Sequence, residues 1–180
     1  MSRNILAIIQ ARSNSTRLPN KILLKINRKT VIQKIHENLL QSIYINNIVV
    51  ATTNTKSDDN LVRILKRNQI DHYRGSHKNV YQRFLKTSKK FKADIVVRIT
   101  ADCPLLDIKI VDKVIKNYLD NSVQYSSNIS PPSFPNGLDV EVFSTSLLEQ
   151  FKNKIKSDYD KEHVTTYFRK SHKIKKINYF

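Results

Sequence analysis

Glycine is almost missing: 2 residues in 180. Neither glycine-rich phosphate loop, G-x-G-x-x-G or G-x-x-x-x-G-K-[ST], is present, which excludes ordinary dinucleotide-binding dehydrogenases and P-loop kinases. One cysteine, Cys103, rules out an internal disulfide and a cysteine-based zinc site, and suits a reducing compartment. No apolar stretch approaches the roughly 20 residues of a membrane span. The opening Met1-Ser2-Arg3-Asn4 and the five-residue apolar run after it are too short for a secretory signal. A cytoplasmic protein without a membrane partner is therefore expected.

Acidic residues are scarce as well, 15 against 32 Lys and Arg, for a formal charge of +17. A basic face is the footprint of a nucleic-acid binder. Here the excess is mostly Lys scattered among Asn and Ile, and aromatic platforms interleaved with Arg are not evident. No nucleic-acid partner is expected, and the charge is free to speed the encounter with small anionic substrates. At 39% hydrophobic, the 180 residues suffice for one compact domain, 1–180.

The apolar run Ile5 to Ile9 is β-branched and apolar on both parities, which predicts a strand covered on both faces in a parallel sheet. It stops at Gln10 and yields to a polar loop carrying Arg12, Ser13, Ser15, Thr16, Arg17 and Lys21. Forked Arg donors, a point-charge Lys and a run of backbone amides form the donor set a polyphosphate needs. A solvated basic loop is the competing reading.

Further along, Thr30 is the expected N-cap of a helix whose buried stripe is Val31, Ile35, Leu39 and Leu40. A second buried strand covers Ile48 to Ala51. Ser57 or Asp58 then caps a helix with Leu61, Ile64 and Leu65 inward. The spacing predicts a short strand from Ile70 to Tyr73, a helix from Asn79 to Phe91, a strand over Asp94 to Ile99 and a helix from Asp107 through Tyr118. Gly137 to Phe143 alternates strictly, predicting a strand with Asp139 and Glu141 on one face. Helices over Ser144 to Lys152 and Asp158 to Lys170 and a strand within Ile174 to Phe180 complete the chain. Strands separated by helices mark an α/β three-layer sandwich with a mostly parallel, Rossmann-like sheet.

Six strings taken in order resemble the SpsF-type cytidylyltransferases of polysaccharide biosynthesis, relatives of acylneuraminate and 3-deoxy-manno-octulosonate cytidylyltransferases. They are Ala7-Ile8-Ile9-Gln10-Ala11-Arg12 with Ser15-Thr16-Arg17-Leu18-Pro19 and Lys21; Val49-Val50-Ala51-Thr52; Arg74-Gly75-Ser76; Arg98-Ile99-Thr100-Ala101-Asp102-Cys103-Pro104; Gly137-Leu138-Asp139-Val140-Glu141; and Glu162-His163-Val164-Thr165. The resemblance implies a fold of the nucleotide-diphosphosugar transferase type. It also implies transfer of CMP from CTP to a sugar or sugar acid with release of pyrophosphate, Mg²⁺ as cofactor, and a homodimer. Alternatives are a nucleotide- or sugar-binding member of the fold without turnover, and a basic nucleic-acid-binding domain.

By the same resemblance, Arg12, Arg17 and Lys21 hold the triphosphate, with Ser13 in the same loop. Gln10, Thr52, Arg74, Gly75 and Ser76 contact base and ribose, Asp102 and Asp139 hold the metal, and Asp139, Glu141 and His163 meet the substrate. Arg12, Lys21 and Asp102 form the catalytic set. Each has a plainer reading: Asp102 as a turn residue before Pro104, Thr52 as a strand-end hydroxyl, Arg98 in a buried ion pair, Asp139 and Glu141 as an edge-strand coating, Arg83 as a solvated helix residue, His163 as an ordinary helix-face histidine. Asn20 stands where the family pattern usually has Gly, and Asn136 where Asp commonly precedes the glycine. The resemblance further implies a later strand and helix with an Asp-rich motif that this sequence does not include: either this is a truncated or divergent member with a thinner site and weak turnover, or Asp139 and Glu141 complete the metal shell.

Overall fold

β1 (Ile5–Gln10) lies near the middle of a seven-stranded sheet, and its residues from Ile5 to Ile9 are buried on both faces. This is a computed structural model that describes residues 3–14 and 18–180. A 3-10 turn at Lys21–Leu23 leads to a two-strand ribbon, β2 (Lys25–Ile26) and β3 (Lys29–Thr30), and then to α1 (Val31–Leu39). Thr30 and Gln33 form a reciprocal capping box at the start of α1. Leu40 falls just past the helix and is exposed, so the buried stripe ends at Leu39.

β4 (Asn47–Thr53), α2 (Asp59–Arg67), β5 (His72–Gly75), α3 (Val80–Lys90), β6 (Ile95–Thr100) and α4 (Ile108–Asp120) continue the alternation. Asn79 and Asp107 cap α3 and α4 through their side chains. β5 starts two residues later than the apolar pattern suggests, because pairing with β4 sets its register as Val50 to His72 through Thr53 to Gly75. In α2, Val62 is buried with Leu61 and Leu65 while Ile64 is only half-buried.

β7 (Tyr125–Ser127), β8 (Glu141–Ser144), α5 (Thr145–Phe151), α6 (Asp158–His163), α7 (Thr166–Lys170) and β9 (Lys176–Asn178) complete the fold. The sheet order is β5-β4-β1-β6-β8-β7-β9, with only β8 running against the rest. One face packs Ala7, Ile9, Val50 and Val97 against α1, α2 and α4. The other packs Leu6, Ile8, Val49 and Val96 against Phe84, Leu148, Phe151 and Phe168 of α3, α5 and α7. The result is the three-layer α/β architecture with a mostly parallel sheet that the sequence predicts.

Two expected elements are corrected. The strand expected over Gly137 to Phe143 begins only at Glu141. Gly137 takes φ 100°, and the Asn128 side chain holds the backbone before the strand, accepting from Val140 N and donating to Leu138 O. The helix expected over Asp158 to Lys170 breaks at Val164, whose φ of 55° and ψ of −55° form a strained γ-turn closed by Thr165 N donating to His163 O at 2.5 Å. A β-branched residue there costs on the order of 1–3 kcal/mol. Full burial of Val164 against the aromatic layer holds it in place.

Candidate active site

The chain leaves β1 toward β4 on one side and has β6 on the other, so a crevice opens where strand order reverses, beyond the carboxyl ends of β1 and β6. Those ends stay in register: Gln10 pairs with Thr100, and Ala101 N donates to Gln10 O at 3.1 Å. A cavity of about 220 Å³ lies there, its wall formed by Gln10, Arg12, Lys21, Arg83, Asp102 and Glu162 among others.

Asn20 adopts the left-handed conformation, φ 56°, and its N–H donates to Ser13 O at 2.8 Å, bending the loop so that Lys21 starts the 3-10 turn beneath the cavity. Lys21 Nζ and Asp102 Oδ2 are 3.0 Å apart although 81 residues separate them. Burial alone would raise the Asp102 carboxyl; the bonds from Lys21 and Thr100 outweigh it and hold Asp102 below the usual carboxylate range. Arg12 reaches Glu162 at 3.4 Å across the mouth, both side chains about half-exposed.

Sequence reasoning missed Arg83. Far from being solvated, it is 1% exposed and lines the cavity from α3. Its NH1 donates to Ser76 O at 2.6 Å, and among the described residues its Nε has no partner and no carboxylate pairs with it. Burial lowers its pKa to about 10; the Asp58 charge partly opposes this and the Arg12 charge adds to it. A desolvated cation with no carboxylate in contact, at the wall of a cationic cavity, calls for an anion. The sequence signal available was its place in the second turn of a helix that follows Arg74-Gly75-Ser76.

That tripeptide supports Arg83 rather than lining the cavity. A Cβ on Gly75 would meet Arg83 Cγ at 2.9 Å, so the missing side chain is what lets the two segments approach. The Ser76 carbonyl accepts from the guanidinium, and its hydroxyl accepts from Asn79 N. Arg74 is spent on the loop after β4: Nε on Thr53 O at 3.0 Å, NH2 on Thr55 O at 2.8 Å and NH1 on Asp59 at 2.7 Å.

The Thr52 hydroxyl, expected from the sequence to meet the nucleotide, is buried and donates to Asp58 at 2.8 Å. Asp58 carries no cap on α2; its buried carboxylate instead accepts from Ser13 N at 2.7 Å, Thr53 N at 3.0 Å and the Thr53 hydroxyl. Burial pushes the Asp58 carboxyl up, and these bonds together bring it below its ordinary value. Ser13 therefore contributes its backbone to this knot, and its buried hydroxyl has no partner among the described residues. Arg17 lies outside the described residues.

Glu141, expected from the sequence to meet the substrate, is likewise committed to partners within the fold. It is 2% exposed, pairs with Arg98 across the β6–β8 ladder and accepts from the Tyr125 hydroxyl at 2.7 Å. His163 is exposed against the Tyr159 ring, 4.4 Å between centroids, and its neighbour Glu162 is the residue that meets the cavity. Asp139 is raised by burial first, then by the charges of Glu141 and Asp102, with Arg98 opposing. The Asp102 charge raises the proton affinity of Asp139, and two such hard-oxygen donors fit a divalent cation. Among the described residues no three His, Cys, Asp or Glu converge, so such a cation would draw further ligands from phosphate oxygens and water. Cys103 is buried with its thiol pKa raised, chiefly by that burial, the profile of an inert thiol. On the far side of Asp102 a second cavity, about 510 Å³, is walled by Cys103, Pro104, Leu105, Pro135 and Leu138.

The family profile described as Cytidylyltransferase matches residues 6–179. An uncharacterised protein of Methanocaldococcus jannaschii is 37% identical over 175 residues, 97% of this chain and 71% of its own length. The spore coat polysaccharide biosynthesis protein SpsF of Bacillus subtilis is 31% identical over 171 residues, 92% and 70% of the two chains. A cytidylyltransferase structure from Leptospira borgpetersenii superposes with a TM-score of 0.90 at 35% identity, covering 99% of this chain and 76% of that one. A CMP:2-keto-3-deoxy-manno-octonic acid synthetase complexed with CTP shares the fold, with a TM-score of 0.75 at 16% identity over 98% of this chain and 90% of that one.

Proposed function

We propose that this chain, which belongs to the cytidylyltransferase family, moves CMP from CTP to a sugar or sugar acid and releases pyrophosphate, in the making of a surface polysaccharide. The observation that carries the reading is Arg83, a buried guanidinium with no carboxylate partner, facing the same cavity as Lys21 and Asp102. Support for the nucleotide comes from the family itself, and support for the polysaccharide from the likeness to SpsF.

The reaction is a displacement at the α-phosphorus: a sugar hydroxyl attacks, the bond to the β-phosphate oxygen breaks, and a CMP-sugar remains. It needs alignment and charge neutralisation rather than a covalent intermediate. Lys21 and Arg12, each now held by a carboxylate, turn to the phosphates when these arrive, and Arg83 gains an anion in direct contact. Asp102 and Asp139 would hold Mg²⁺, which when bound neutralises charge on the phosphate oxygens. The apolar-walled cavity beyond Asp102 is the proposed seat of the acceptor.

The test is incubation with CTP, Mg²⁺ and a panel of acidic sugars, with pyrophosphate measured. Release that depends on both CTP and one sugar supports the reading. CTP binding without pyrophosphate on any sugar would make the chain a binding protein, and tight salt-sensitive binding to random RNA with no affinity for CTP would make it a nucleic-acid binder. Gel filtration with light scattering tests the expected homodimer.

A further inference from the structure

A polar chain crosses the sheet on the face covered by α3, α5 and α7. The Tyr125 hydroxyl donates to Glu141 Oε2 at 2.7 Å, Glu141 Oε1 pairs with Arg98 NH1, and Arg98 sends its two remaining nitrogens to one atom, Gln10 Oε1: Nε at 3.3 Å and NH2 at 3.1 Å. Glu141 and Tyr125 are both buried, and Arg98 is nearly so. Gln10, at the end of the chain, is at the cavity wall.

A guanidinium can only donate. Whatever faces Arg98 must therefore accept, so the amide of Gln10 has one allowed orientation: oxygen toward Arg98, Nε2 away from it. No hydrogen bond to Nε2 occurs among the described residues, and Nε2 is not among the buried atoms left without a partner. We infer that Gln10 is a ligand-contacting residue locked as a hydrogen-bond donor by Arg98 and Glu141. It thus recognises an acceptor oxygen of the bound ligand and cannot accept from a ligand amino group. Arg98 and Glu141 are positioning residues that act through Gln10. Charge supports the assignment: an amide that turned its oxygen into a cavity meant for phosphates would present the wrong dipole to an anion. The ligand is the one named under Proposed function, so the choice of nucleotide rests on that reading, whereas the orientation of Gln10 does not.

The recognised oxygen is either on the phosphates or on the nucleoside. Calorimetric affinities for CTP and for inorganic tripolyphosphate separate these sources across wild type, Gln10→Met, Arg98→Lys and the double variant. Gln10→Met is expected to weaken binding about tenfold, the usual scale of a hydrogen bond to a charged group. Loss on both ligands assigns the phosphates, and loss on CTP alone assigns the nucleoside. Arg98→Lys, which replaces a two-pronged hold by a single ammonium, should cost a similar factor by itself and nothing further once Gln10 is Met. Additive losses would mean that Arg98 matters only for structure and would overturn the lock. Neutron diffraction on the ligand-free wild type needs no variant: deuterons of the Gln10 amide should face the cavity, and deuterons facing Arg98 would sink the inference. If wild type binds neither probe, the functional reading fails, and the neutron map still decides the lock.

Discussion

Arg83→Met is the sharpest perturbation this molecule offers, because it should strengthen the fold and weaken the site at once. The charge on Arg83 is disfavoured by burial, its pKa falling well below the ordinary guanidinium value to about 10. Since the folded value lies below the unfolded one, the protonated form opposes folding throughout the range below about pH 10. At roughly 1.4 kcal/mol per pH unit this amounts to about 3 kcal/mol. Methionine fills most of the same space without the charge, while the Ser76 carbonyl loses its donor at a cost of about 1 kcal/mol. The net expectation is a gain of about 2 kcal/mol, or roughly 4–8 °C in melting temperature for a chain of this size. CTP should reverse the order: at a hundred times Kd it adds about 2.7 kcal/mol to wild type, and much less to the variant at the same concentration. Thermal melts followed by circular dichroism, with and without CTP and Mg²⁺, measure both effects. A ligand-free variant melting at or below wild type, or one gaining as much from CTP, refutes the account of Arg83 as an anion anchor.

Three other outcomes are expected. Lys21→Met should lower the rate of pyrophosphate release on the order of 10²-fold, the scale of removing one donor that tightens in the transition state, measured by a coupled phosphate assay. Gly75→Ala forces its new methyl against the near end of Arg83, so chemical denaturation should show a loss of about 1–3 kcal/mol together with weaker CTP binding. Asp58→Asn should cost about 2–4 kcal/mol at neutral pH, read from urea unfolding, because a fixed carboxylate accepting several hydrogen bonds is lost. The Asp58 carboxyl is held below its ordinary value in the fold. Its contribution is therefore present above the unfolded pKa of about 4 and disappears as pH falls through the lower folded value, so wild type and variant should converge in acid.

What a sequence reveals here is whatever depends on near neighbours. β1, β4 and β6 announce themselves by apolar residues on both parities, and the caps at Thr30, Asn79 and Asp107 are local arrangements closed within three residues. The cationic loop and Asp102 could be placed at strand ends, and parallel pairing of β1 with β6 then brings those ends together. The fate of a buried charge is different. Whether Glu141 faces ligand or core depends on Arg98, 43 residues away, and whether Thr52 faces a nucleotide depends on an aspartate that looks like a helix cap. Arg83 misleads for the same reason: nothing near it in the chain reveals that Gly75 lets a strand end close over it. The break at Val164 had no local signal at all, since valine is among the last residues expected at positive φ.

The carboxylate of Asp58 joins three stretches of chain that would otherwise be independent: the exit of the first strand, the exit of its neighbour and the start of the second helix. These loops therefore form one mechanical unit, and a displacement felt at the first loop, on the cavity side, is passed to the second through a single side chain. Divergence of the rim sequences can change what is bound there without unsettling the scaffold, so long as this one acidic rivet is kept.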